Sequence, residues 1–309
     1  MRFVRHLLSV ALLVATLPAA AACDRTPLPP TTTPQRLLFV GNSFLHGHAP
    51  PVLRYNAERV TDLNGSGYGG VPAVFKQLAD DAGVAVDVAS ELVSGQTLQF
   101  HLDQKRALIA SQPWDVVVLQ EYSTLNAKQP GDASAFITAA NGLEALVHEV
   151  NPAARVYLLE TWARADQVYR TPNGRWAGQP LEAMQADLRA AYAQAATRAA
   201  CIAGVLPVGD AALLAVQDGI ADRDPYDGID AGKVNLWGDD SYHLSAWGSY
   251  LEALVIFGRL TGRDPARLGP DSRAGRDLGL GAEQIQAAQA VAARQLGFSS
   301  AAPASPTRP

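Results

Sequence analysis

Residues 115–120 read Asp-Val-Val-Val-Leu-Gln, and this run constrains the fold more than any other feature of the chain. It is too short for a stable helix. A β-branched strand that is apolar at every position, instead of at alternate ones, has both faces covered. Four further segments read as strands: 36–40, 84–93, 155–160 and 204–208. Helix-like segments separate or follow them, at 71–82, 132–150, 181–200, 245–260 and 282–296. Asn151-Pro152 should end the second of these, because the residue before proline avoids helical backbone. Ser245 is placed to cap the fourth and Gly262 to end it. Five short strands alternating with helices imply an α/β protein: a three-layer sandwich around a five-stranded parallel sheet. Ligands bind beyond the carboxyl ends of such strands, so the chemistry should lie there.

The two ends differ from the body. Arg2 and Arg5 precede an apolar stretch at 7–17, and Pro18 then leads into Ala19-Ala20-Ala21-Ala22-Cys23. A basic start, a short apolar run and small residues mark an export signal, here 1–22, and the run is too short to read as a membrane span. Ala-Ala-Cys resembles the end of a bacterial lipobox, which makes Cys23 the expected lipidation site and membrane anchor. Ordinary cleavage after Ala-x-Ala is the alternative. Residues 23–34 are rich in proline and threonine and read as an extended tether. The domain then covers 35–298, and 299–309 reads as a disordered tail. Cys201 is the other cysteine outside the signal; in its apolar setting it reads as a buried structural thiol. The expected location is therefore the cell envelope or periplasm. A formal net charge of -5 gives no basic footprint for nucleic acid.

The first strand leads into Gly41-Asn42-Ser43, which puts a serine hydroxyl in the turn after a strand's carboxyl end. Leu45 occupies the place where a Gly-x-Ser-x-Gly elbow needs its final glycine, so an ordinary α/β-hydrolase is disfavoured. A serine is a weak nucleophile without an adjacent base. Among the histidines, His243 stands out because Asp240 lies three residues before it. On a loop, that carboxylate can accept from Nδ1–H and leave Nε2 free to take the serine proton.

Gly-Asn-Ser after the first strand, with Asp-x-x-His before the last core helix, resembles the SGNH, or GDSL-like, hydrolases. The resemblance covers roughly residues 35–262 and implies a flavodoxin-like sheet. It implies Ser43 as nucleophile, His243 as base and Asp240 as its orienter. Gly95, in Ser94-Gly95-Gln96 after the second strand, takes the place of the family's oxyanion glycine. The family's Gly-x-Asn-Asp block is missing. After the third strand the chain reads Gln120-Glu121-Tyr122-Ser123, so Gln120 is the expected second oxyanion donor and Asn126 the fallback. The implied chemistry is ester hydrolysis by a serine, with no cofactor and no metal.

His46-Gly47-His48 has two imidazoles but no third named ligand, and reads as a loop beside the site. Residues 222–230 form an acidic loop that fails the EF-hand spacing. The glycine-rich stretch 64–70 is a lid or a long connection. Trp162, Tyr122, Trp237 and Tyr242 fall near the expected site and suit stacking on sugar rings. An exported esterase that removes O-acetyl groups from a saccharide is the favoured reading. A lipase or thioesterase with an acyl-chain groove, and a non-catalytic tethered binding protein, are the rivals.

Overall fold

The structure is a computed structural model that describes residues 23–29 and 31–298. The expected signal segment and the expected tail lie outside the described residues. Six parallel strands form one sheet: β1 (Gln35–Gly41), β2 (Thr61–Asp62), β3 (Val86–Leu92), β4 (Val116–Gln120), β5 (Arg155–Leu159) and β6 (Ile202–Leu206), in the order β2-β3-β1-β4-β5-β6. The α/β sandwich is as expected, with one strand more than the five read from sequence. That extra strand, β2, is two polar-ended residues paired with Ala89 and Ser90 at the sheet edge. It exists only through its neighbour, so no local pattern marks it.

Without that edge strand, the order is the flavodoxin-like one, with β1 second in line and flanked by β3 and β4. Successive connections leave β1 in opposite directions, so a crevice opens at its carboxyl end. The central strands are wholly interior. Val116, Val117, Val118 and Leu119 are each 0% exposed, and burying each stabilises the fold by about 1.5–3 kcal/mol.

Helices flank the sheet. Those used below are α1 (Ser43–His46), α2 (Gly70–Asp81), α3 (Leu98–Gln104), α4 (Ser134–Val150), α5 (Leu181–Arg198), α6 (Val208–Gln217), α7 (Ala246–Thr261) and α8 (Ala282–Gln295). α7 packs on α2 and α8, while α4 packs on α3 and α5. Ser245 caps α7 through Gly248 N–H, and Gly262 ends it in the left-handed conformation at φ 66°. α4 stops at Val150, one residue before Asn151-Pro152.

The segment from Cys23 does not stand away from the domain. Leu28 is buried and its N–H donates to Leu260 O at 2.7 Å, while the Arg155 guanidinium donates to Thr26 O at 3.1 Å. Cys23 is joined to Cys201 in a disulfide, with Cα atoms 5.3 Å apart. This corrects the reading of Cys201, which is not an unpaired structural thiol. Lipidation of the Cys23 sulfur requires a chain in which this disulfide is not formed. The extended-tether reading also fails for 23–29, because apolar Leu28 finds a site against the end of α7. Among the described residues, no helix is long and apolar enough to cross a membrane.

Candidate active site

The site grows from the end of β1. Gly41 lies against Gln120, and a Cβ there would meet Gln120 Oε1 at 2.6 Å, so the position excludes a side chain. Asn42 follows as a hub. Its N–H donates to Gln120 Oε1 (3.0 Å), its Oδ1 caps α1 through Phe44 N–H (3.1 Å), and its Nδ2 donates to Gln96 O (2.8 Å). These bonds fix the turn that presents Ser43, the first residue of α1. The Ser43 N–H, in that first turn, has no acceptor within its own helix.

The partner loop is equally determined by local bonds. An antiparallel bridge between Trp237 and Leu244 closes residues 238–243 into a tight loop, and Gly238 N–H donates to His243 O at 2.7 Å. Ser241 takes the left-handed conformation at φ 56° to complete the reversal. Asp240 Oδ1 accepts from the N–H groups of Tyr242 (3.0 Å) and His243 (2.9 Å), while Oδ2 lies 2.7 Å from His243 Nδ1. His243 Nε2 lies 2.8 Å from Ser43 Oγ. The carboxylate beside Nδ1 makes that nitrogen the donor, so Nε2 accepts from the serine hydroxyl. The three residues expected to work together are therefore in line.

Burial has opposite effects on the two titrating groups. It would raise the Asp240 pKa, but the His243 imidazole and the two backbone N–H groups outweigh it and hold the carboxyl below its usual range. For His243, burial is the largest influence and lowers the pKa below the ordinary 6.5, although Asp240 pulls it upward. The imidazole is thus neutral near pH 7, as a general base must be.

Gly95 occupies a turn closed by the Gln96 N–H to Val93 O bond (3.2 Å), with φ 72°, and the space where its side chain would be is open. Gln120 does not fit the role read from sequence. It is 0% exposed, its Oε1 accepts from Asn42 N–H, and its Nε2 donates to Glu121 O. The amide expected to face an oxyanion instead braces the nucleophile turn from inside. Asn126 Oδ1 accepts from Lys128 N–H (2.9 Å) and Gln129 N–H (3.0 Å), which makes it part of a surface turn.

The aromatic residues also separate. Trp162 and Trp237 are each 1% exposed and form a floor, not a rim. Trp162 stacks on Phe44 at 4.0 Å and donates to Tyr242 O, while Trp237 donates to Ala163 O. Their indoles are covered because both flank loops that must close tightly. Tyr122 and Tyr242 are half-buried. The Tyr242 ring centroid lies 4.0 Å from that of His243, and the Arg164 guanidinium sits 3.7 Å above the Tyr242 ring. Arg164 is held by Asp166 (2.9 and 2.6 Å) and donates to Ser123 Oγ (2.7 Å).

Three residues take part in ways the sequence did not mark: Arg164, His46 and Ser94. Arg164 sits four residues beyond Glu160 with no motif to mark it. His46 and Ser94 also meet: His46 Nδ1–H donates to Gly47 O (2.7 Å), so its Nε2 accepts from Ser94 Oγ–H (2.7 Å). Burial lowers the His46 pKa, which favours this neutral acceptor. With Asn42, this bond ties the Gly95 turn to the nucleophile turn. A cavity of about 740 Å³, lined by Asp81, Phe257, Arg263 and Phe298, lies where α2 and α7 end and includes none of the site residues.

No family model and no curated protein matches the chain. Solved structures do. A protein proposed to be a GDSL-like lipase from Parabacteroides merdae has a TM-score of 0.52 at 18% identity, covering 74% of this chain and 96% of its own. A protein proposed to be an SGNH hydrolase from Slackia heliotrinireducens has a TM-score of 0.47 at 22% identity, with coverage of 75% and 100%. A mutant of an acetyl-xylooligosaccharide esterase from Geobacillus Stearmophilus has a TM-score of 0.47 at 15% identity, with coverage of 74% and 94%. The chain has the SGNH-hydrolase fold.

Proposed function

We propose that this chain is a serine ester hydrolase. The observation that carries the reading is the unbroken line from Asp240 Oδ2 through His243 to Ser43 Oγ, with steps of 2.7 and 2.8 Å. Ser43 Oγ attacks the ester carbonyl while His243 Nε2 takes its proton. Asp240 holds the ring orientation and stabilises the imidazolium. The backbone N–H groups of Ser43 and Gly95 are the oxyanion donors, each typically contributing about 3–4 kcal/mol to lowering the barrier. His243 then protonates the leaving alcohol. Water, activated by the same imidazole, releases the acid and restores Ser43.

The substrate in this reading is a small acyl group, such as acetyl, on a saccharide. Tyr122 and Tyr242 supply the aromatic surface in place of the two tryptophans. The protein acts after export, and the Cys23–Cys201 disulfide is compatible with an oxidising compartment. A fluorophosphonate probe should label the wild type at Ser43 and leave Ser43→Ala unlabelled. p-Nitrophenyl acetate should be hydrolysed faster than the octanoate, and acetylated xylo-oligosaccharides should lose acetate. Absence of labelling in folded wild-type protein sinks the hydrolase reading. A preference for octanoate sinks only the saccharide.

A further inference from the structure

The two imidazoles of His46-Gly47-His48 point to different places. His46 is buried against Ser94, whereas His48 stands over the dyad, with 57% of its side chain exposed. The His48 ring lies parallel to that of His243, with centroids 4.8 Å apart and planes at 11°. Its Nε2 is 3.8 Å from Asp240 Oδ2. Among the described residues it makes no hydrogen bond that would hold it elsewhere. His48, Asp240 and His243 each present one donor atom, and these atoms lie within 4.8 Å of one another.

Asp240 Oδ2 is the shared vertex, 2.7 Å from His243 Nδ1 and 3.8 Å from His48 Nε2. Ligand bonds of about 2.0–2.2 Å in tetrahedral geometry place neighbouring donors roughly 3.2–3.5 Å apart. Both separations are within an ångström of that spacing: the partly exposed Asp240 carboxylate must swing out to open the shorter one, and the exposed His48 ring must move in to close the longer one. Two imidazoles and one carboxylate suit a borderline divalent ion such as Zn²⁺, not the all-oxygen preference of Mg²⁺ or Ca²⁺.

We propose that His48, Asp240 and His243 form a Zn²⁺-binding site whose occupation switches off the serine. The inhibitory consequence rests on the hydrolase reading above; the binding does not. The ion takes the Nδ1 lone pair of His243, and the ring proton passes from Nδ1 to Nε2 through solvent, so no proton is lost overall. Nε2–H then donates to Ser43 Oγ and has no lone pair to accept the serine proton. Asp240 is engaged by the metal, and water fills the fourth position.

The test uses the mature chain with any affinity tag removed. Calorimetry with zinc chloride on Ser43→Ala should give one ion per chain. Adding His48→Ala to that background should weaken binding at least tenfold. With wild type, zinc should inhibit ester turnover and chelation should restore it, while the same concentration of Mg²⁺ has no effect. His48→Ala should need at least tenfold more zinc for half-inhibition, measured against its own zinc-free rate. Equal zinc affinity with and without His48 overturns the site. Stoichiometric binding that leaves wild-type turnover unchanged overturns the switch. If zinc-free wild type hydrolyses no ester while His48-dependent binding persists, the hydrolase reading falls and the metal site stands.

Discussion

Two of the imidazole–carboxylate pairs among the described residues differ in what they can do chemically. In both, Nδ1 meets a carboxylate: His243 with Asp240, and His101 with Glu91. The His101 pair is 0% exposed on both sides, and the second Glu91 oxygen accepts from Asn64 Nδ2 at 2.9 Å. His101 Nε2 has no partner. The His243 pair sits on a loop, with side chains 10% and 31% exposed, and its Nε2 meets a serine hydroxyl. An oriented imidazole is thus insufficient for catalysis. Its far nitrogen must face both a nucleophile and an opening for substrate; Glu91 also lies near the carboxyl end of its strand, and burial with no partner at Nε2 is what separates the His101 pair from the His243 pair.

The comparison breaks first at Asp240. Asp240→Asn should lower kcat by roughly 10²–10⁴-fold, because an amide donor on Oδ2's site favours the wrong tautomer of His243. Its melting temperature should stay close to wild type, since the carboxylate is partly solvated. A kcat within a few-fold of wild type would show that the loop backbone alone orients the imidazole.

Glu91→Gln should do the reverse. Weakening a fully buried hydrogen bond costs about 1–3 kcal/mol of stability, with kcat of the folded fraction nearly unchanged. Urea unfolding beside steady-state kinetics separates the two variants. A large loss of kcat at wild-type stability would place the buried pair in the mechanism.

Gln120→Ala sharpens the boundary between brace and catalyst. It leaves Asn42 N–H and Glu121 O without their partner, at a cost of about 1–3 kcal/mol. The melting temperature should fall and kcat should drop no more than about tenfold, through a looser Ser43 turn. A fall of 10² or more in kcat with unchanged stability would return Gln120 to the oxyanion hole.

The smallest effect concerns pH. His243 must be neutral to accept a proton, and burial lowers its pKa below the ordinary 6.5. As pH falls, kcat/KM should therefore hold through 6.5 and decline only below it. Asp240→Asn removes an influence that raises this pKa, so its acid limb should lie at still lower pH. A wild-type limb above 6.5 would show that the imidazolium is stabilised more than the burial allows.

Much of this site is legible because its parts are local. Ser43 could be named from a strand end, and Asp240 with His243 from a three-residue spacing that a loop can close. Gln120 was misread because the residue sits at the end of β4 on an amide arm long enough to point either way. The direction is set by Gly41, whose missing side chain leaves room for Oε1 beneath the nucleophile turn. His46 and His48 looked alike in sequence, yet one lies in α1 and the other beyond a Gly47 at φ 75° that turns the chain outward.

The sequence by itself determined five of the six strands, the long helices and the order in which serine, aspartate and histidine enter the fold. Those features follow from side-chain periodicity, capping and β-branching, which act over a few residues. The tertiary structure alone decided that the tryptophans are buried, that Cys23 reaches Cys201, that the polar edge strand pairs with β3, and that His48 stands over Asp240. Each depends on which distant surfaces meet, and a surface created by packing has no signature in the local chain.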